Sequence, residues 1–242
     1  MTHSRRDMLR YAALGSGVAL VSALGAPGVA QGREVLGTIV DYSAAVPSPA
    51  SIRAAGHIGA IRYVSDPRPD AAWMRAKPLT GPEADALIDS GLEVVSCYQF
   101  GRAETADWLG GYEAGLNHAR RGLELHRAAG GPENRPIYAS IDDNPTFEQF
   151  TTRIVPYLLG WQEVIGPANL GVYANSPTLD WASAISLGAF YWQHNWGTPK
   201  GHVHPRADLH QVSGGEIDGI GIDVNHVLTA DYGQWSLVAG AA

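Results

Sequence analysis

The chain has 242 residues, with 17 Lys and Arg against 24 Asp and Glu and a formal net charge of −7 at pH 7. An acidic balance of this kind argues against a nucleic-acid partner, because affinity for a polyanion comes mainly from neutralising phosphates with Lys and Arg. One cysteine, Cys97, excludes an internal disulfide.

Residues 1–30 read as a secretory signal. Arg5 and Arg6 precede Met8-Leu9, an apolar run rich in small residues follows, and Gly28-Val29-Ala30 offers a small-residue cleavage site. The S-R-R-x-x-L arrangement marks the twin-arginine type. A membrane anchor over Tyr11 to Gln31 is the weaker reading, given the many Gly and Ala residues and Pro27. Removing the three Arg and one Asp of residues 1–30 leaves 14 Lys and Arg against 23 Asp and Glu, a net charge of −9. The domain 31–242 is therefore expected to be exported folded, as a monomer, and to act in the periplasm, at the cell wall or outside the cell.

Strands then alternate with helix-length segments. "LGTIVDYS" (36–43) predicts a first strand and "PASIRAAG" a short helix. "GAIRYVSD" (59–66) is a second strand, and "TGPEADALIDSG" a helix with Thr80 and Glu83 at capping-box spacing. "LEVVSCYQF" (92–100) is a third strand, followed by a long helix from Thr105 to Ala129 on which His118 and His126 read as surface residues. "PIYASID" is a fourth strand. The helix after Thr146 places Phe147, Phe150, Ile154, Tyr157, Trp161 and Ile165 on one apolar face. "LGVYAN" (170–175) is a fifth strand, and "SPTLDWASAIS" a helix with Pro177 in its first turn.

"AFYWQHNW" (189–196), "DLHQV" (208–212) and "GIGIDVN" (219–225) follow as three strands joined by loops. Five strand-helix units and three strands make eight strands with fewer than eight helices. That count predicts an α/β fold of the TIM-barrel-like (β/α) type. No G-x-G-x-x-G turn follows the first strand, as a doubly wound nucleotide-binding sheet would require.

Strand alternation selects the candidate site. It places Gly37, Ile39 and Asp41 on one face of the first strand, and Tyr138, Ser140, Asp142 and Asn144 on one face of the fourth. In the last strand it groups Gly219, Gly221, Asp223 and Asn225, and in the fifth Tyr173 with Asn175. Asp41, Asp142 and Asp223 are thus expected to end three strands facing the interior, where barrels of this type build their sites. Asp143 is expected to be a turn residue. Grouped carboxylates suit glycosidic chemistry, in which one carboxyl is kept protonated and another stabilises or attacks the sugar cation. The 7 Trp and 10 Tyr offer amphipathic rings for sugar faces.

At these motifs the chain resembles the mycobacterial and actinobacterial twin-arginine-exported glycoside-hydrolase-like proteins, distant relatives of the lysozyme-like family 25 glycoside hydrolases. The resemblance runs through "LGTIVDYS", "GAIRYVSD", "PIYASIDDNP", "GVYANS", "WQHNWG", "LHQV" and "IDVN". It implies a cell-envelope glycan as partner, of the peptidoglycan or arabinogalactan type. Family 25 enzymes carry an Asp-x-Glu pair at the end of the fourth strand. Asp142 matches the Asp, whereas Asn144 stands where the acid is expected and cannot give up a proton. Asp41 and Asp223 match further acidic positions, and Gln211 a polar one. The resemblance thus implies Asp142, Asp41 and Asp223 as catalytic candidates.

Substrate-binding candidates are Asn144, Tyr173, Asn175, Gln211, Gln193, His194 and Trp192. The position of Asn144 divides two readings, a glycoside hydrolase and a carbohydrate-binding pseudo-enzyme on the same cleft. A metal hydrolase built on His202, His204 and His210 is a third and weaker reading, so no metal and no cofactor is expected. Arg62 is open to two roles; facing inward, it would pair with the carboxylates and lower their pKa values.

Overall fold

The computed structural model describes residues 33–236, so the signal segment lies outside the described residues. Eight strands close into one barrel in chain order. They are β1 (Gly37–Asp41), β2 (Gly59–Tyr63), β3 (Glu93–Tyr98), β4 (Ile137–Ser140), β5 (Leu170–Asn175), β6 (Phe190–His194), β7 (Leu209–Ile217) and β8 (Ile220–Val227). The first five strands are each followed by a helix: α1 (Pro49–Ala54), α2 (Gly81–Asp89), α3 (Gly111–Ala128), α4 (Val155–Ile165) and α5 (Ser176–Ala184). The barrel belongs to one compact unit starting at Val35.

Neighbouring strands from β1 to β7 run parallel, whereas β8 is antiparallel to both β7 and β1. The reversal follows from Asp218-Gly219, a two-residue turn with both φ angles in the left-handed region, at 54° and 74°. Asp-Gly tolerates that geometry and closes a hairpin without the crossover helix that a parallel neighbour needs. The expected loop between 212 and 219 is therefore strand. A second expectation is corrected with it. Asp223 does not end its strand at the carboxyl end but lies within β8, brought to the rim because β8 runs the other way.

Alternation separates two kinds of core. Ile39, Ile61, Val95, Cys97, Tyr138, Trp192, Leu209 and Val227 fill the barrel interior. Val40, Ala60 and Val94 pack outward with Leu87 of α2, and Ile137, Ala139 and Ile141 pack outward with Tyr157 and Trp161 of α4. At the end opposite the site, Tyr138 donates to the Tyr232 carbonyl at 2.9 Å, and Trp235 pairs with Val94.

Arg62 follows the outward phase. It is fully buried, with Nε 2.5 Å from Glu83 Oε1 and donor bonds to the carbonyls of Tyr42 and Ala76. Glu83 therefore completes only half of the expected capping box. Thr80 caps α2 by accepting from the Glu83 N–H at 3.4 Å, while the Glu83 carboxylate is held by Arg62.

The long helix begins at Gly111 rather than Thr105. Two short 3-10 turns, Ala103–Thr105 and Asp107–Gly110, precede it, and Gly111 takes a φ of 60° that α-helix does not allow. His126 is completely buried, with Ser96 Oγ 2.8 Å from Nδ1 and the Pro132 carbonyl 3.0 Å from Nε2. His118 is half-buried and stacks on Tyr98 at 5.1 Å. Both were expected at the surface, but α3 turns them toward β3.

The apolar face after Thr146 spans an α-turn (Phe147–Gln149), a π-turn (Phe150–Ile154) and α4. Pro156 lacks the N–H that a regular helix would use at this point, and the wider π-turn accommodates the loss. Phe150, Ile154, Tyr157 and Trp161 are buried, whereas Phe147 is exposed.

Candidate active site

Asp41, the last residue of β1, is turned inward above Ile39 and is buried. Both oxygens accept hydrogen bonds. The Tyr63 hydroxyl donates to Oδ1 at 2.9 Å, and Asn225 Nδ2 and Gln211 Nε2 donate to Oδ2 at 2.9 and 3.2 Å. The two amides are aimed from behind. The Trp192 indole donates to Asn225 Oδ1 at 2.8 Å, and the Tyr173 hydroxyl to Gln211 Oε1 at 2.8 Å. A donor at the carbonyl end of each amide leaves its NH2 end for the carboxylate.

Burial pushes the Asp41 carboxyl from 3.8 up to about 7, and the Asp223 charge adds to the rise, while the three donors pull it back. Desolvation therefore outweighs hydrogen bonding, and the Asp41 carboxyl titrates near neutral pH. Asp223 is its register partner across β1 and β8. Open to solvent, Asp223 is also raised, by desolvation first and by the Asp142 charge second.

Asp142 lies just beyond β4, half-buried, and accepts from Gln99 Nε2 at 3.0 Å. Gln99 is itself held by its carbonyl, which accepts from Ser65 Oγ and Lys77 Nζ at 2.7 Å each. Lys77 is buried, and desolvation lowers its ammonium to about 8. Its Nζ sits 3.9 Å from the Tyr63 ring centroid. One ammonium thus braces both the residue that holds Asp142 and the ring that holds Asp41.

These side chains border a cavity of about 410 Å³. Asp41, Asp142, Asp223, Tyr173, Trp192 and Gln211 line it together. Asn144, Asn175, Gln193 and His194 are absent from its lining. Asn144 is exposed and accepts from Asn175 Nδ2 at 2.9 Å, at a point where Gly197 leaves room. The other end of the Asn175 amide caps α5, accepting from the Thr178 N–H at 3.0 Å. Gln193 faces away from the interior, between the His202 carbonyl (2.8 Å) and the His204 N–H (2.7 Å). His194 is buried with Nε2 3.3 Å from the Ile141 carbonyl, and burial lowers its pKa. Asp143 holds the turn, accepting from the Asn144 N–H at 2.9 Å.

The His-x-His loop is spent on fastening. His204 donates from Nε2 to Asp180 at 3.2 Å and accepts the Arg206 N–H at Nδ1, while His210 Nε2 meets Asn195 Oδ1 at 2.9 Å. Among the described residues no group of three metal-ligating side chains converges.

Tyr63, Gln99 and Asn225 were not among the candidates; alternation grouped Asn225 with Asp223, whereas the phase of the second strand, and with it Tyr63, was decided only by the outward burial of Arg62. Trp73, in a 3-10 turn (Ala72–Met74), and Arg102, which caps the 3-10 turn Ala103–Thr105, also border the cavity, where no strand or helix periodicity marks them.

A closed barrel with carboxylates, amides and aromatic rings gathered at one rim has the construction of a glycoside-hydrolase-like domain. The chain belongs to the Rv2525c-like, glycoside hydrolase-like domain family, whose model matches residues 50–227. A Mycobacterium tuberculosis protein named "Putative peptidoglycan hydrolase Rv2525c" is 56% identical over 246 residues, covering 98% of this chain and 100% of that one. The crystal structure of the M. tuberculosis Tat-secreted protein Rv2525c in complex with L-tartrate superposes with a TM-score of 0.82 at 58% identity, covering 83% of this chain and 100% of that chain. A family 25 glycosyl hydrolase from Bacillus anthracis shares the fold, with a TM-score of 0.52 at 13% identity over 88% of this chain and 99% of that one. Like its Tat-secreted relative, this chain is an exported protein.

Proposed function

We propose that the chain binds a cell-envelope glycan, of the peptidoglycan or arabinogalactan type, in the acidic cavity and hydrolyses a glycosidic bond there. The observation that carries this reading is the convergence of three carboxyls of unlike burial on one cavity. Asp41 retains a proton near neutral pH, while Asp142 and Asp223 stand nearer the open cleft. General acid catalysis is most effective when the acid titrates near the working pH. Asp41 gives its proton to the leaving oxygen, and the donors from Tyr63, Gln211 and Asn225 then receive the carboxylate. Asp142, fixed by Gln99, stabilises the positive charge that develops on the sugar, with Asp223 as its partner; water then adds to the sugar carbon, and the proton it loses returns to the Asp41 carboxylate. Residues 1–30 serve as the leader and 31–242 as a monomeric working domain without a cofactor.

One observation favours a second reading, binding without turnover. Asn144, where family 25 holds its acid, is tied to Asn175 outside the cavity. Incubating the purified protein with insoluble peptidoglycan and with arabinogalactan separates the two. Hydrolysis predicts soluble reducing ends from wild type and a loss of at least a hundredfold in Asp142→Asn and Asp41→Asn. Co-sedimentation with glycan and no release selects the binding reading, and neither binding nor release rejects both.

A further inference from the structure

A second cavity, of about 710 Å³, adjoins the first, and Trp73, Arg102 and Asp142 border both. Its remaining wall includes Arg68, Asp70, Glu104 and Trp196. We propose that this cavity is a second saccharide subsite, with the Trp196 indole as the platform on which the next sugar ring of the glycan stacks. The proposal rests on the glycan reading above and adds to it that the ligand is a chain extending past Asp142 in both directions.

The lining selects the ligand class. Three carboxylates against two guanidiniums disfavour a phosphate or another compact anion. Five charged side chains disfavour an apolar ligand. A sugar ring suits the mixture, with hydroxyls that accept from Arg and donate to Asp or Glu and a C–H face for an aromatic plane. Trp73 already carries two cations, with Arg102 4.7 Å and Lys77 Nζ 5.0 Å from its ring centroid. Trp196 has 56% of its surface exposed and, among the described residues, no ring partner. A large exposed indole beside a polar cavity is what a stacking platform requires.

Both walls are built rigid. Asp107 accepts the N–H groups of Phe100 and Gly101 at 2.8 Å each. Thr105 Oγ1 donates to the Arg102 carbonyl at 2.9 Å and accepts from Arg68 Nη1 at 2.5 Å. A Cβ at Gly101 would lie 1.7 Å from the Thr105 carbonyl oxygen, and Ala103 holds a left-handed φ of 51°. This strained, hydrogen-bonded turn keeps Arg102 at the rim. Across the cavity, Thr198 Oγ1 donates to the His194 carbonyl at 2.7 Å and accepts from the Ser176 N–H at 3.0 Å, which fixes the loop carrying Trp196.

Calorimetric titration of the exported domain with β-1,4-linked N-acetylglucosamine oligomers of increasing length, and in parallel with arabinan oligomers, tests the assignment. Wild type is expected to bind one series with affinity that rises with length. Trp196→Ala is expected to weaken the longer oligomers about threefold to tenfold, leave the shortest unchanged, and recover in Trp196→Phe. Equal affinities for wild type and Trp196→Ala at every length, or equal weakening at every length, overturn the subsite while leaving glycan binding intact. A Trp196-dependent affinity for a sugar-free stem peptide reassigns the cavity to peptide. Absence of binding by wild type in both series rejects the glycan reading itself, and the subsite with it.

Discussion

Asp41 joins stability to chemistry in one side chain. Its folded pKa of about 7 lies above the unfolded value of 3.8. Below 3.8 both states are protonated and the shift costs nothing. As pH rises from 3.8 to about 7 the unfolded chain releases its proton first, so this group lowers stability by about 1.4 kcal/mol per pH unit and then levels off. Asp41→Asn removes the slope and retains the shape. The amide oxygen can accept from Gln211 and Asn225, and its NH2 can donate to the Tyr63 oxygen. Chemical denaturation is therefore expected to find the variant gaining on wild type by up to about 4 kcal/mol between pH 4 and pH 8. A difference that does not change with pH would rule out the buried proton.

At the scale of elements, α3 and α4 meet backbone to backbone. A Cβ at Gly115 would lie 2.1 Å from the Tyr157 carbonyl oxygen, and one at Gly160 would lie 2.5 Å from that of Tyr112. Only glycine fits at this crossing, so Gly115→Ala must push the helices apart. The expected cost is about 2–3 kcal/mol of unfolding free energy, read as a lower denaturation midpoint at constant m. The crossing lies away from the candidate site, so glycan binding by the folded fraction is expected to be unchanged. The 3.6-residue apolar period after Thr146 marks the buried side of this segment, but two glycines in separate helices give no sign that they touch. The Asp-Gly of the β7–β8 hairpin is different. It is a local turn signal, and it foretells the reversed strand that alternation, being blind to strand direction, does not.

Across the whole molecule, buried groups oppose one another. Burial lowers His118 and His210 to about 4 and also lowers His57, His126, His194 and His204. A depressed histidine stays neutral in the folded state while the unfolded chain takes up a proton, so stability is lost as pH falls below 6.5. Asp41 and Asp107, both pushed up to about 7, and Asp223, also raised, lose stability in the other direction, as pH rises from 3.8. Six histidines outnumber three carboxyls below 6.5, and just above it the carboxyls outweigh Lys77, whose depressed ammonium, titrating near 8, acts in the opposite sense only at higher pH. Melting temperature is thus expected to peak between pH 6 and 7, as checked by thermal scans from pH 4 to 8. A monotonic rise across that range would show that the raised carboxyls do not titrate as described.

Period-2 alternation and helix punctuation were enough to read eight strands, five helices and an inward-facing Asp41, Asp142 and Asp223, because each depends only on neighbours a few residues apart. The same rule grouped Asn225 with Asp223 but left the second strand open at Arg62, and no chemistry in the sequence marked Tyr63, Gln99 or Asn225 as holding the carboxylates. Other features required the folded chain. The burial of His126, the Arg62–Glu83 pair, the turn of Asn144 toward Asn175, and the meeting of two cavities at Asp142 all join residues distant in sequence. The rise of Asp41 to about 7 belongs with them, because desolvation is a property of everything packed around a carboxyl and not of the strand that carries it.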